Sequence, residues 1–282
     1  QSFSNDLTGA NKVKKLILQL AKQNSYDKVI IGMEATSIYS FHPAYFFAND
    51  EDLQKLNLET DVVNPKNTKR FHDVYEENKN DPIDAYYIAE YLRFGKYHVT
   101  IARQEEYLAL QRLTRTRYEI TSSLARAKQH FIEALYYRLN KLVTVDKENI
   151  KTSIFGATML SIVTDSKTID EITEMPIEDL IDYLQTKGRG RFSDPEALAK
   201  AIRKAVRGSY RLGKVMKDSI DAVLSVYYTE IKTNQKLIKN LDKAITDIVQ
   251  ALPEERILQS IPGIGPVYSA GIIAEIGSID RF

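Results

Sequence analysis

In the first hundred residues, short segments typical of strands alternate with longer segments whose apolar residues have the three- and four-residue spacing of helices. An apolar run at residues 29–31 is rich in β-branched residues and too short for a helix, so it predicts a buried strand, and residues 58–63 predict a second strand. Apolar residues three and four positions apart predict helices around these runs, with stripes at 13–21, 45–56 and 81–93. The order helix, strand, helix, strand, helix predicts parallel strands joined by right-handed crossovers. A further short strand is predicted at residues 97–102.

Beyond residue 102 the pattern becomes helical. Residues 103 to about 142 contain neither Gly nor Pro and carry a helical stripe, which predicts one long helix. Short helices are predicted over 151–185, and a second long helix from about Met216 to Ala251. Two long helices around an insert are typical of an antiparallel hairpin, or of a coiled coil that pairs two subunits. The exposed side of the first long helix is basic, which is also typical of an ordinary solvated face.

Carboxylates follow the first strand and open the third helix. Glu34 lies just beyond the first apolar run, where ligands collect in open α/β sheets. Asp81-Pro82 is a helix-start signal, and Asp84 follows one turn later on the same face, with Cβ atoms about 5–6 Å apart. Convergence of these three carboxylates would suit a hard cation such as Mg²⁺, with Mn²⁺ as a substitute. The alternative is ordinary helix-terminus chemistry for the two Asp residues and a lone surface acid at Glu34.

Charge is unevenly distributed although the formal net charge of the 282 residues is only +1. Residues 186–217 contain ten basic side chains and two acidic ones, which predicts a phosphate-binding surface. The turn Lys187-Gly188-Arg189-Gly190-Arg191 allows guanidinium and backbone groups to approach a phosphate closely. The basic residues are Lys187, Arg189, Arg191, Lys200, Arg203, Lys204, Arg207, Arg211, Lys214 and Lys217. A flexible basic loop without a partner is the alternative.

A Gly-rich turn lies near the end of the sequence. Pro262-Gly263-Ile264-Gly265, between two helical segments, is similar to a helix-hairpin-helix turn. Gly263 and Gly265 would let backbone N–H groups contact a phosphate without reading its base. A plain Gly-rich turn between helices is the alternative.

Other composition features exclude several classes of site. The absence of cysteine excludes disulfides and thiolate metal sites, and the four histidines show no metal-ligand spacing. No apolar run approaches 18 residues and no signal peptide is visible. We therefore expect a soluble, cytoplasmic protein with no membrane partner.

Five segments together resemble the DEDD transposases of bacterial insertion sequences, the recombinases guided by a structured bridge RNA. They are GMEATSIY (32–39), NPKNTKRFH (64–72), KNDPIDAYYIAEYL (79–92), KGRGRF (187–192) and IPGIGPVYSAGIIAEIGSIDRF (261–282). The resemblance implies an α/β ribonuclease H-like catalytic domain over 1–102, with its first strands absent. It also implies a coiled coil over 103–252 with a basic helical insert at about 151–210, then the start of a C-terminal transposase domain over 253–282.

The resemblance also implies the function and the site. Glu34, Asp81 and Asp84 match the second, third and fourth members of the family's catalytic tetrad. The implied activity is Mg²⁺-dependent cleavage and exchange of DNA strands, guided by a structured RNA, in a dimer or tetramer formed through the coiled coil. Nucleic acid is expected at Lys187, Arg189, Arg191, Arg203, Arg207, Gly263 and Gly265.

Two members of the family's catalytic set have no match. Asp6 is a poor candidate for the first Asp, and Ser269 and Ser278 lie too close to the Gly-rich turn to be the nucleophilic serine. Both groups are expected outside these 282 residues, which would then bind nucleic acid without strand transfer. A nucleic-acid-binding scaffold with an incomplete catalytic centre, and a metal-dependent structure-specific nuclease, are the competing functions.

Overall fold

The computed structural model describes residues 1–24, 26–36, 38–72, 81–95, 105–144 and 153–277. These residues are mostly helical, and they form two compact units, 1–105 and 106–282. No helix in these ranges combines the length and the apolar composition that a membrane span requires.

The first unit contains a two-stranded sheet and five helices among its described residues. The elements are α1 (Leu7–Gln23), β1 (Val29–Glu34), α2 (Phe41–Asn49), α3 (Glu51–Gln54), β2 (Leu58–Val63), α4 (Pro65–His72) and α5 (Asp81–Arg93). The strands pair in parallel, with Val29 opposite Leu58 and Glu34 opposite Val63. The two predicted strands and their parallel pairing are therefore confirmed. The strand predicted at 97–102 lies outside the described residues.

The helical segment predicted over 45–56 is two helices. The Asp50 carboxylate accepts hydrogen bonds from the N–H groups of Asp52 and Leu53, at 3.1 and 3.2 Å, and so starts α3. Lys14 of α1 donates to the same carboxylate at 2.7 Å. Burial raises the pKa of Asp50, but the hydrogen bonds from Lys14 and from the backbone outweigh it and hold the pKa below its ordinary value.

The described part of the second unit is entirely helical. Its elements are α6 (Glu105–Arg138), α7 (Asn140–Thr144), α8 (Ala157–Thr164), α9 (Ser166–Ile172), α10 (Ile177–Gly188), α11 (Pro195–Gly208), α12 (Lys214–Val249), α13 (Pro253–Gln259) and α14 (Pro266–Ile276). Ion pairs from Arg138 to Asp221 and from Arg117 to Asp242 show that α6 and α12 run antiparallel. Both predicted long helices are confirmed, while the predicted division into three domains stays a prediction.

The first long helix ends earlier than predicted, at Arg138 instead of about Leu142. The side-chain oxygen of Asn140 accepts a hydrogen bond from the N–H of Tyr210 at 3.1 Å. The Ser209 hydroxyl accepts one from the N–H of Lys141 at 3.2 Å. The interruption thus coincides with contacts from some 70 residues away, and residues 103–142 contain neither Gly nor Pro as a local breaker.

The insert between the two long helices has its own core. Helices α8 to α11 bury apolar side chains against the C-terminal half of α6 and the N-terminal half of α12, among them Phe131, Leu135, Met159, Leu160, Leu180, Leu184 and Ile231. A separate cluster joins the other ends of the long helices to α14, through Leu110, Ile245, Val249, Ala270 and Ile273. The basic residues therefore lie largely on packed helices, and the alternative of a partnerless basic loop stays open for the turn between α10 and α11.

A buried arginine links three helices of the second unit. The Arg138 side chain, only 5% exposed, donates from Nε to Asp221 and from Nη2 to Asp170, both at 3.0 Å. Lys217 forms an ion pair with the same Asp170. Burial raises the pKa of Asp170, but hydrogen bonds from Lys217 and Arg138 outweigh it and leave that pKa lowered.

Candidate active site

The two faces of the β1–β2 sheet have different partners. On one face, Val29, Ile31 and Met33 pack with the apolar cluster that includes Phe47 of α2. On the other, Ile30 and Gly32 line a cavity of about 290 Å³ together with residues of α5. Because side chains alternate along a strand, the odd-numbered residues of β1 face α2 and the even-numbered residues face α5.

Gly32 lies against the side chains of α5. A Cβ atom at Gly32 would lie 2.4 Å from Leu92 Cδ1 and 3.0 Å from Ile88 Cγ2, so a side chain there would require Leu92 to move. Glu34, two residues further along β1, emerges on the same face as Gly32. It is the last residue of the strand and is partly buried. The sequence predicts a strand over 29–31 with Glu34 just beyond it; the strand is longer, and Glu34 is its last residue.

Asp84 lies on the sheet-facing side of α5. Positions 84, 88 and 92 are one turn apart, and Ile88 and Leu92 are the two residues that contact Gly32. Asp84 is partly buried. Glu34 therefore lies two residues beyond the Gly32 contact on the strand, and Asp84 lies one turn before Ile88 on the helix.

The third predicted carboxylate is described only by its backbone position. Helix α5 begins at Asp81, as the Asp-Pro pair predicts, while the side chain of Asp81 lies outside the described residues. Among the described residues, no three His, Asp or Glu side chains are grouped to hold a metal ion. The predicted convergence of three carboxylates therefore stays a prediction.

A further acid on this face is not among the residues that the sequence singled out. Asp61 of β2 is only 5% exposed and is the register partner of Gly32, so it lies on the face of Glu34. The period-two pattern of β2 contains the signal, because Glu59, Asp61 and Val63 alternate with Leu58, Thr60 and Val62. Asp61 can be recognised in the sequence as a site residue only once residues 58–63 are assigned to a strand.

The basic insert divides into cations with partners and cations without. Arg207 donates from Nε and Nη2 to the carbonyl oxygen of Thr173, at 3.1 and 2.7 Å, and Lys187 Nζ lies 5.7 Å from the Tyr183 ring centre. Four others form no hydrogen bond or ion pair through their side chains within the described ranges: Arg189, Arg191, Arg203 and Lys204. These four cations are therefore free to meet a phosphate.

The backbone of the basic turn has a left-handed conformation. Arg189, which caps α10, has φ of 50° and Gly190 has φ of 67°. Of the two, only glycine adopts this region without steric cost. The reversal directs the chain from α10 into α11 and leaves Arg189 and Arg191 exposed.

The Gly-rich turn near the C-terminus joins α13 to α14. Gly263 has φ of 92°, which requires glycine, and nothing lies within 4 Å of a Cβ placed at Gly263 or Gly265. The turn therefore exposes its backbone, and Gly265 is the N-cap of α14. Ser269, one turn into α14, is fully buried, so its hydroxyl is not presented to a DNA strand.

Comparison with known protein families gives two matches. A transposase model, the DEDD type of the IS110 insertion sequences, matches residues 1–137. A second model, described as transposase of the IS116/IS110/IS902 family, matches residues 255–282. Together the matched segments cover more than half of the chain and include the three candidate carboxylates and the Gly-rich turn. No curated protein matches the chain.

Proposed function

Because the chain belongs to the IS110 family of DEDD transposases and is therefore an insertion-sequence transposase that acts on DNA, we propose that Glu34, Asp81 and Asp84 form its catalytic centre. The observation that supports this is the contact of β1 with α5 at Gly32, which extends to Glu34 on one side and to Asp84 on the other. In the proposed centre α5 runs opposite to β1, so that both carboxylates lie at the carboxyl edge of the sheet. A parallel sheet crossed by such a helix suits a ribonuclease H-like domain.

The donor set fits a hard divalent cation. Carboxylate oxygens are preferred ligands of Mg²⁺, and Mn²⁺ accepts the same donors. When bound, such an ion would polarise the scissile phosphate and stabilise the leaving oxygen. The fold holds Glu34 in place. The N–H of Ala35 donates to the carbonyl oxygen of Val63 at 3.0 Å, so pairing with β2 continues past Glu34 and fixes its backbone.

Calorimetry with Mn²⁺ tests this centre. Replacing Glu34 by Gln or Asp84 by Asn is expected to weaken Mn²⁺ binding by at least about tenfold, because each change removes a charged ligand. Glu90→Gln is the matched control, since Glu90 lies on α5 but pairs with Arg93 at 2.6 Å. Equal affinity for Mn²⁺ in the wild type and in both site variants would contradict the proposal.

The four free cations of the insert support a second part of the proposal, that this surface binds the backbone of a structured guide RNA. Phosphate contacts of this kind position a nucleic acid without reading its sequence. Arg207 contributes indirectly, because its guanidinium fixes the turn at Thr173 that faces the end of α11.

Reversing Arg189, Arg191, Arg203 and Lys204 to Glu is expected to flatten the salt dependence of RNA binding. The log–log slope should fall by roughly 0.7–0.9 for each phosphate that the protein no longer neutralises. The control reverses four exposed lysines of α12: Lys232, Lys236, Lys239 and Lys243. If the slope stays at the wild-type value, or falls equally in the control, the insert does not bind the RNA backbone.

The long helices support the proposed assembly. Several apolar side chains of α12 remain substantially exposed, including Met216, Val223, Val226 and Leu237. We propose that α6 and α12 form a coiled coil that pairs subunits into a dimer or tetramer. In this scheme the catalytic domain covers 1–102, the coiled coil with its insert 103–252, and residues 253–282 start the C-terminal transposase domain.

A further inference from the structure

Helix α4 presents an uncompensated cationic face. Lys66, Lys69 and Arg70 occupy positions i, i+3 and i+4, so their side chains share one side of the helix. All three are exposed, and none forms a hydrogen bond or an ion pair through its side chain within the part of the chain that the structure describes. The helix contains no acidic residue. A face that serves only solubility normally mixes both signs of charge, whereas this one carries a single sign.

The opposite side of α4 is anchored. The Phe71 ring makes edge contacts with Tyr91 and Phe94, at centroid distances of 5.8 and 5.6 Å. At the start of the helix, the side-chain oxygen of Asn64 accepts a hydrogen bond from the N–H of Lys66 at 2.9 Å. Because α4 is fixed at both its cap and its aromatic side, the three cations are held in a defined place on the first unit.

That place is next to the proposed catalytic edge. Helix α4 begins two residues after Val63, and Val63 is the register partner of Glu34. The cationic face therefore starts at the edge of the sheet where β1 ends in Glu34.

We propose that Lys66, Lys69 and Arg70 bind backbone phosphates of the DNA strand that is cut at the carboxylate centre. The inference rests on the proposed function, because it takes the Glu34 edge as the place where a DNA phosphate reacts. Cations beside that edge hold the neighbouring phosphates of the same strand and so set which phosphate reaches the carboxylates.

Replacing the three cations by glutamine tests the proposal. Lys66→Gln, Lys69→Gln and Arg70→Gln together should lower the log–log salt slope of single-stranded DNA binding by about 0.7 for each phosphate that is released. The probe is a mixed-sequence DNA oligonucleotide, without divalent metal. The matched control removes three exposed lysines of α1 in the same unit, Lys12, Lys15 and Lys22, and should leave the slope almost unchanged. A slope at the wild-type value in the α4 variant, or an equal fall in the control, overturns the assignment.

Crosslinking separates DNA from RNA at this surface. Since the sequence contains no cysteine, Asn67→Cys places one thiol on α4 for a photoreactive label, and Gln19→Cys provides the control on α1. The labelled α4 variant should crosslink to the DNA oligonucleotide more strongly than to an RNA of the same sequence. Preference for the RNA, or crosslinking no stronger than from position 19, contradicts the proposal. Neither assay uses metal. A negative result here would therefore reject the DNA-binding surface without affecting the Mn²⁺ site, and a loss of the Mn²⁺ site would leave these assays interpretable.

Discussion

Replacing Asp84 by asparagine is expected to lower the transposition frequency of the insertion sequence that encodes this protein by about 10³-fold. A carboxylate that holds a catalytic metal ion contributes several kcal/mol to the transition state, and each 1.4 kcal/mol corresponds to about a factor of ten. Asparagine keeps the size of the side chain and removes its charge. Because the volume of the side chain on this packed stripe of α5 is preserved, the effect should come from the lost charge and not from unfolding of the helix.

The control for this prediction is Glu90→Gln, six residues further along the same helix. Glu90 forms a surface pair with Arg93, and such pairs contribute little to stability. Transposition should remain close to the wild-type level in this variant. A frequency for Asp84→Asn within a few-fold of Glu90→Gln would show that Asp84 is not a ligand of the catalytic metal.

Replacing Arg138 by alanine is expected to destabilise the protein by about 3–5 kcal/mol, the usual cost of removing one partner of a buried ion pair. The change leaves Asp221, which is 17% exposed, without its guanidinium partner. It also opens a cavity where α6, α9 and α12 meet. Urea denaturation followed by circular dichroism measures the destabilisation as a lower midpoint.

The matched variant for Arg138→Ala is Arg126→Ala on the same helix. Arg126 is exposed and, among the described residues, donates only to the Ser123 hydroxyl at 3.1 Å, so its removal should change the free energy of unfolding by less than about 0.5 kcal/mol. Combining Arg138→Met with Asp221→Leu should recover part of the stability, because it removes both charges and fills the space. Similar midpoints for the Arg138 and Arg126 variants would refute a stabilising role for the network.

The direction of the Asp170 pKa sets the pH range in which its part of this network acts. A pKa that folding lowers adds stability above the unfolded value of about 3.9, and that stability disappears as the pH falls through the folded value. The stability gap between the wild type and Arg138→Ala should therefore be largest near neutral pH and narrow in acid. The carboxylate of Asp170 is 45% exposed, so water screens this contribution.

The parts of the fold that depend on local patterns could be predicted from the sequence. The β-branched runs marked β1 and β2, and Asp81-Pro82 marked the start of α5, because strand propensity and helix-start preferences act over a few residues. The end of α6 at Arg138 could not be predicted, since the contacts at that point come from Ser209 and Tyr210, in a distant part of the chain. The role of Gly32 was equally hidden, because it depends on the approach of Leu92.

The same distinction holds for the candidate sites. Composition alone located the basic region, but it could not separate Arg207, bound to the carbonyl oxygen of Thr173, from Arg203, which is free to meet a phosphate. Asp61 was missed because the register that places it beside Gly32 is a property of the sheet. Glu34 was found because a polar residue at the end of an apolar strand stands out in the sequence itself.

Anomalous diffraction from crystals grown with Mn²⁺ would locate the catalytic metal. We expect a peak coordinated by the carboxylates of Glu34, Asp81 and Asp84, at the carboxyl edge of the β1–β2 sheet, which is absent from crystals of Asp84→Asn. A Mn²⁺ peak bound by other residues, with none at these three carboxylates, would contradict the proposed catalytic centre.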